Sequence, residues 1–120
     1  MYSILRPSAF ASDLKAISKN FPKSVNRIED MIRDLVENPS QGNRYPGFGS
    51  NEVRKIRIGL PEYKISQSNG LRLIFGVKPE KKIVALLTIY FKNRYKSEND
   101  IIRTAIERFG NIEANLSSDL

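Results

Sequence analysis

The sequence contains no cysteine and no histidine. Without thiols there can be no disulfide and no thiolate nucleophile, and without imidazole the usual zinc sites and acid–base pairs are gone. Any catalysis falls to Lys, Arg, Tyr, Asp, Glu, Ser or Thr, and neither a metal nor a cofactor is expected. Long apolar runs are missing too. The longest, IVALLTIYF from Ile83 to Phe91, is far short of the roughly 20 residues that span a bilayer. No charged start, apolar core and small-residue cleavage site marks a signal peptide, so a cytoplasmic protein with no membrane partner is expected. Acids are scarce in the middle of the chain: from Val53 to Lys96 eleven Lys or Arg face only Glu62 and Glu80, and the whole chain carries a formal charge of +7. Such an excess favours an anionic partner, although net charge alone gives only non-specific attraction.

The 120 residues, 40% of them hydrophobic, suit one compact domain with one core. YSILRP, Tyr2 to Pro7, reads as a first strand, after which Ser8 is placed to cap a helix with Phe10, Leu14 and Ile17 at helical spacing. NFP breaks that helix. A second runs from about Lys23 to Asn38, with Val25, Ile28, Ile32, Leu35 and Val36 on one stripe and Pro39 as its stop. The two helices are expected to form an antiparallel hairpin. Glu29, Asp30, Asp34 and Glu37 lie largely off the stripe and read as a solvated face rather than a carboxylate pair or metal site. Asn38 to Glu52 is rich in glycine and proline, and its GFG lacks the strand-turn-helix context of a phosphate-binding loop, so it reads as a connector.

Three strands follow, at about Val53 to Ile58, Leu71 to Val77 and Ile83 to Phe91, the last two joined by KPEKK as a hairpin. A final helix starts at Ser97, where SEND offers a capping box with Asp in place of the usual Glu; Ile101, Ile102, Ala105, Ile106 and Phe109 give it a core face, and Gly110 ends it. The expected organisation is a domain over residues 1–110 and a polar tail over 111–120.

Alternate strand residues point to opposite sides of a sheet. Ile56 and Ile58 share one side and Lys55 and Arg57 the other. Leu71, Leu73, Phe75 and Val77 form an apolar side with Arg72 opposite. Ile83, Ala85, Leu87, Ile89 and Phe91 form the buried side of the third strand, leaving Thr88, Tyr90 and Lys92 to point away. If the apolar sides pack on the helices, the other face gathers Lys55, Arg57, Arg72, Tyr90 and Lys92. A wet sheet face needs polar residues in any case, and long cations shield apolar neighbours with their stems. Three strands placing cations on one side, with no acid among them, nevertheless form a like-charge cluster that costs stability unless an anion fills it.

KIR at Lys55 to Arg57, NGLRLIFGV at Asn69 to Val77 and IYFKNR at Ile89 to Arg94 stand in an order that resembles the RelE-like toxins of the RelE/ParE superfamily. Nearly the whole chain is covered by the resemblance. It implies an α+β fold, β-α-α-β-β-β-α, with helices on one face of a mostly antiparallel sheet and a basic opposite face. It also implies a toxin of a type II toxin–antitoxin system: a ribosome-dependent endoribonuclease that cuts translated mRNA in the decoding site and is held in check by a cognate antitoxin, with DNA met only through the toxin–antitoxin complex. Lys55 and Arg57 match the paired basic positions of the family's second strand, Arg72 the arginine of its third, and Lys92 also fits. Two departures stand out. Asn93 follows Lys92 where RelE has a further arginine, with Arg94 one step on, and no tyrosine stands at Asn99 to Ile101, which leaves Tyr90 or Tyr95 to substitute.

The side chains present suffice for such a reaction, because RNA carries its own nucleophile in the 2′-hydroxyl and needs only a base, a leaving-group acid and anion stabilisation. Arg72 is the choice for holding phosphorane charge, since a guanidinium presents a fixed fork to phosphate oxygens, with Arg57 and Arg94 assisting. Lys55 or Lys92, depressed by neighbouring cations, is a candidate base, and Tyr90 is another. Two other classes compete: a ParE-like toxin that inhibits gyrase and cuts nothing, and a non-catalytic RNA- or ribosome-binding module with phosphate-positioning contacts. Phe10, Phe21, Phe75, Phe91 and Phe109 sit at core spacings. Tyr45, Phe48 and Tyr63 fall in loops near the basic face, where stacking on a base is no better supported than incidental exposure.

Overall fold

The computed structural model describes residues 1–49, 51–92 and 97–118. Five strands and three α-helices follow in the order β1 (Ser3–Leu5), α1 (Ser8–Asn20), α2 (Val25–Asp34), β2 (Asn43–Arg44), β3 (Glu52–Ile58), β4 (Leu71–Lys78), β5 (Ile83–Phe91) and α3 (Glu98–Ser118). The strands form one sheet in the order β1-β5-β4-β3-β2. Only the β1–β5 pair is parallel, as a strand that returns through two helices requires. This is an α+β architecture with a mostly antiparallel sheet, as the resemblance implies. Among the described residues no helix is long and apolar enough to cross a membrane.

The helix boundaries shift in small, explicable ways. Pro7, with φ −62° and ψ 154°, takes the cap position of α1, so Ser8 is its first helical residue and makes no capping bond. A 3-10 turn at Pro22–Ser24 leads into α2, which ends at Asp34. The acids of α2 face solvent as expected: Glu29 pairs with Arg6, and Asp30 with Arg33 at 2.8 Å.

α1 and α2 cover one face. Phe10, Ile17, Ile28, Ile32 and Leu35 pack there against Ile56, Ile58, Leu71, Leu73 and Phe75. The other face is not open, which corrects the expectation of helices on one side only. α3 lies across it and builds a second core in which Ile101, Ala105, Phe109 and Ile112 meet Val53, Ile74, Ala85, Leu87 and Tyr90. The physical reason is visible in β4, whose first seven residues are all buried: Ile74 lies between Leu73 and Phe75 and needs apolar cover of its own. Gly76 makes the approach possible, since a Cβ there would stand 2.8 Å from two ring atoms of Phe109.

β5 departs from simple alternation. Ile74 pairs with Thr88 but Phe75 pairs with Leu86, so Leu87 is an extra residue in a β-bulge. As a result Ala85 and Leu87 face α3, while Val84, Leu86, Ile89 and Phe91 belong with the first core. The single buried side drawn from Ile83 to Phe91 is thereby corrected. At the same place Thr88 Oγ1 donates to Asp13 Oδ2 at 2.7 Å, and Arg108 of α3 donates both to Asp13 and to the Leu87 carbonyl. This network ties α3 to α1.

Two further corrections concern α3 and the 38–52 connector. α3 does not stop at Gly110 but runs on to Ser118, because Ile112 continues its buried stripe and the helix tolerates one glycine at modest cost. The connector contributes β2 to the sheet and sends Tyr45 and Phe48 into the second core, edge to face with their centroids 5.6 Å apart. Neither ring is free to stack on a base. Tyr63 packs on Phe21 at 5.1 Å, and its hydroxyl accepts the Lys23 N–H.

Candidate active site

α3 leaves one end of the sheet uncovered, and there the cations converge. Strand register sets Arg57 of β3 opposite Arg72 of β4, and Arg72 opposite Tyr90 of β5. Cross-strand partners share a face, so these three side chains form a row. Lys55, two residues back along β3, joins the same face, and Lys92 N–H donates to the Gly70 carbonyl at 3.0 Å just beyond β5. The chain passes Gly70 tightly: a Cβ there would lie 2.1 Å from the Ile58 carbonyl oxygen.

Together Lys55, Arg57, Arg72, Tyr90 and Lys92 line a cleft of about 320 Å³, closed on its far side by Ser97, Glu98 and Ile101 of the α3 N-terminus. Five of the six candidate residues are therefore in one place. Arg94 lies outside the described residues, as does Tyr95. A larger groove of about 560 Å³ runs past Arg33, Asp34, Glu37 and Asn38, but its charges are mixed and it gathers no comparable set of cations.

The cleft walls are held from behind. Arg72 is 5% exposed; its Nη1 donates to the carbonyls of Gln67 at 2.9 Å and Leu71 at 3.2 Å, and its Nη2 to that of Ser68 at 2.9 Å. Three of the five guanidinium N–H groups are thus engaged by main chain, and at most two remain for an anion. The fork expected from the sequence is a fixed charge whose orientation is set by the turn at Gln67–Asn69. Burial, followed by the charge of Arg57, lowers the pKa of Arg72 from its ordinary value. Arg57 is the exposed member of the row.

Glu98 enters this cluster from α3, so the face does hold an acid. Tyr45 Oη donates to Glu98 Oε1 at 2.6 Å, and Lys55 Nζ lies 3.9 Å from the same oxygen and 4.6 Å from the centre of the Tyr45 ring. Burial and this carboxylate push the Tyr45 phenol well above the usual tyrosine range. Lys55 moves the other way. Burial lowers its pKa most, Glu98 opposes the shift, and Arg57 and Arg72 add to it. At the helix start Ser97 Oγ accepts the Asp100 N–H at 3.2 Å, which is the first half of the expected capping box, and the positive end of the α3 dipole adds to the field of the cleft. The role of Glu98 was hidden in the sequence because SEND announces a helix start and nothing in the strand pattern says that this start lies over Lys55.

The arrangement can bind an anion of phosphate size between two arginines, with lysines on either side and a carboxylate and a phenol within the same walls. No family model and no curated protein matches the sequence. Among solved structures, the crystal structure of the isolated E. coli RelE toxin is similar to this chain with a TM-score of 0.56 and 20% sequence identity, covering 91% of this chain and 99% of that one. The likeness spans nearly the whole chain, and the fold of this chain is RelE-like.

Proposed function

We propose that the chain is the toxin of a type II toxin–antitoxin pair and acts as a metal-independent endoribonuclease on translated mRNA in the ribosome. The observation that carries this reading is the row Arg57, Arg72 and Tyr90 across three strands, flanked by Lys55 and Lys92 in one cleft. The likeness to the RelE toxin supports it at the level of fold.

The reaction follows from what the cleft holds. A phosphodiester seated between Arg57 and Arg72 has its charge neutralised before the reaction, and the extra negative charge of the phosphorane is stabilised by dipoles and cations already in place. The neighbouring 2′-oxygen attacks phosphorus, the bond from phosphorus to the 5′-oxygen breaks, and the products carry a 2′,3′-cyclic phosphate and a 5′-hydroxyl. The lowered pKa of Lys55 makes its ammonium a stronger acid than an exposed lysine. Tyr90 and Lys92 stand in the same walls. Arg94 is carried as a further assisting residue from the sequence pattern alone. The partners are the ribosome with its mRNA and an antitoxin that covers the basic cleft.

A second reading, a binding module that blocks without cutting, is favoured by one observation: Arg72 spends three of its N–H groups on carbonyls and acts as a fixed positive charge rather than a free fork. Primer extension on messengers from cells briefly induced for the wild-type chain or Arg57→Ala, alongside purified protein with translating ribosomes, separates the two. New in-frame cuts that disappear in the variant support the nuclease. Ribosome binding without cuts supports the binding module, and growth arrest with inhibited supercoiling and no cuts supports a gyrase-directed toxin. Cleavage of messengers with a 2′-deoxy sugar at the cut site would rule out the 2′-oxygen route.

A further inference from the structure

Glu98 is the residue that neither the strand pattern nor the fold comparison accounts for. Among the described residues it is the one carboxylate lining the cationic cleft. The Tyr45 hydroxyl holds it by donating to Oε1 at 2.6 Å, and Lys55 Nζ, which also lines the cleft, lies 3.9 Å from the same oxygen. Tyr45 is itself immobilised, 4% exposed and packed edge to face on Phe48. Oε1 carries both of these contacts, and Glu98 itself lines the cleft where a ligand would sit. A carboxylate serving only as counter-charge for the cations would need no such support from a buried phenol.

Resting on the nuclease reading above, we infer that Glu98 is the general base of the reaction, with Lys55 as its general acid and Tyr45 as the residue that positions it. The step balances within the cleft. The Glu98 carboxylate takes the 2′-hydroxyl proton as the bond from the 2′-oxygen to phosphorus forms, and the Lys55 ammonium gives a proton to the 5′-oxygen as its bond to phosphorus breaks. Glu98 is left neutral and Lys55 as an amine. Their proximity then lets the proton return from carboxyl to amine, so that both groups are reset with no water consumed. This arrangement replaces the lysine or tyrosine base considered from the sequence, because Lys55 carries protons to donate and the carboxylate 3.9 Å away supplies an oxygen to accept one.

The test uses the full chain with mRNA-loaded ribosomes, single-turnover cleavage across pH and a parallel co-sedimentation assay. Glu98→Gln keeps size and hydrogen bonding to Tyr45 while removing the basic oxygen. It is expected to cut about 100-fold more slowly or worse, to lose the acid limb of the pH–rate profile, and to bind ribosomes as well as wild type or better, since one negative charge has left a cationic site. Glu98→Asp is expected to retain the acid limb at a reduced rate, and Tyr45→Phe to lower the maximal single-turnover rate several-fold with ribosome co-sedimentation little changed. If wild type cuts and Glu98→Gln cuts as fast or faster, or if Glu98→Asp shows no acid limb, the assignment of Glu98 is overturned while the nuclease stands. If wild type does not cut at all, both fall together.

Discussion

Arg72→Ala, the obvious test of an anion site, is expected to unfold the protein more readily as well as weaken binding, and the structure says by how much. The guanidinium is 5% exposed and gives hydrogen bonds to three carbonyls, those of Gln67, Leu71 and Ser68. Removing a charged donor that serves buried or half-buried acceptors costs about 1–3 kcal/mol. Against this stands the relief of two like charges directly opposite each other, Arg57 and Arg72, which is worth roughly 0.2–1 kcal/mol across a strand pair. The net loss is about 1–2 kcal/mol, or roughly 3–10 °C in Tm for a domain of this size. Arg57 is exposed, and Arg57→Ala is expected to leave Tm unchanged or slightly raised. Thermal unfolding by circular dichroism at low salt, run beside a salt titration of binding to a short RNA oligonucleotide, separates the two effects. Both variants are expected to weaken RNA binding and flatten its salt dependence, but only Arg72→Ala should lose stability. An unchanged Tm for Arg72→Ala would refute the claim that its hydrogen bonds to the carbonyls of Gln67, Leu71 and Ser68 stabilise the fold, and a Tm loss of the same size in Arg57→Ala would refute the division of roles.

Other perturbations test other parts of the structure. Gly110→Ala, inside α3 and with nothing within 4 Å of its new Cβ, is expected to stabilise by about 0.5–1 kcal/mol in denaturant unfolding, whereas Gly76→Ala, driven into the Phe109 ring, should cost about 1–3 kcal/mol. Asp13→Asn weakens the acceptor shared by Thr88 and Arg108 and is expected to destabilise by about 1–3 kcal/mol, with faster amide exchange along β5 as the second readout. For Lys55 the sign of the pH effect follows from its lowered pKa: between the folded value and that of free lysine the unfolded chain holds more protons, so stability from this group rises with pH. Anion affinity runs the opposite way, falling as Lys55 loses its proton. Phosphate titrations between neutral pH and pH 10 should show that fall in wild type and a weaker one in Lys55→Met.

What the sequence made legible is governed by period and reach. Strand alternation alone placed Lys55, Arg57, Arg72, Tyr90 and Lys92 on one face, because a period of two is set by local backbone geometry and survives any tertiary arrangement that keeps the strands straight. It failed at Leu87, where one extra residue against Ile74 reverses the face of Ala85 and Leu87 relative to Ile89. Nothing local to IVALLTIYF betrays the bulge, since all its residues are apolar or buried on either reading. The open face was misjudged for a related reason: Ile74 reads as a filler between Leu73 and Phe75 until the Phe109 ring is seen to rest over Gly76. Tyr45 and Phe48 lie among glycines and prolines and look like loop residues, yet a two-residue strand at Asn43–Arg44 is enough to fold them under α3. Glu98 needed knowledge of where a helix 43 residues further along the chain begins relative to Lys55, which no local pattern contains.

The bulge in β5 also determines where this chain can change length. Deleting any regular residue between Ile83 and Phe91 would turn every side chain on one side of the cut to the opposite face, burying Lys92's neighbours wrongly and removing Tyr90 from the cleft. Deleting Leu87 alone would not, because the residues on either side of it already keep step with β4, Leu86 with Phe75 and Thr88 with Ile74. A variant one residue shorter there would lose a buried leucine but keep both cores and the row Arg57, Arg72 and Tyr90 in register, so relatives of this protein that differ in length along this strand are expected to have gained or lost their residue at that point.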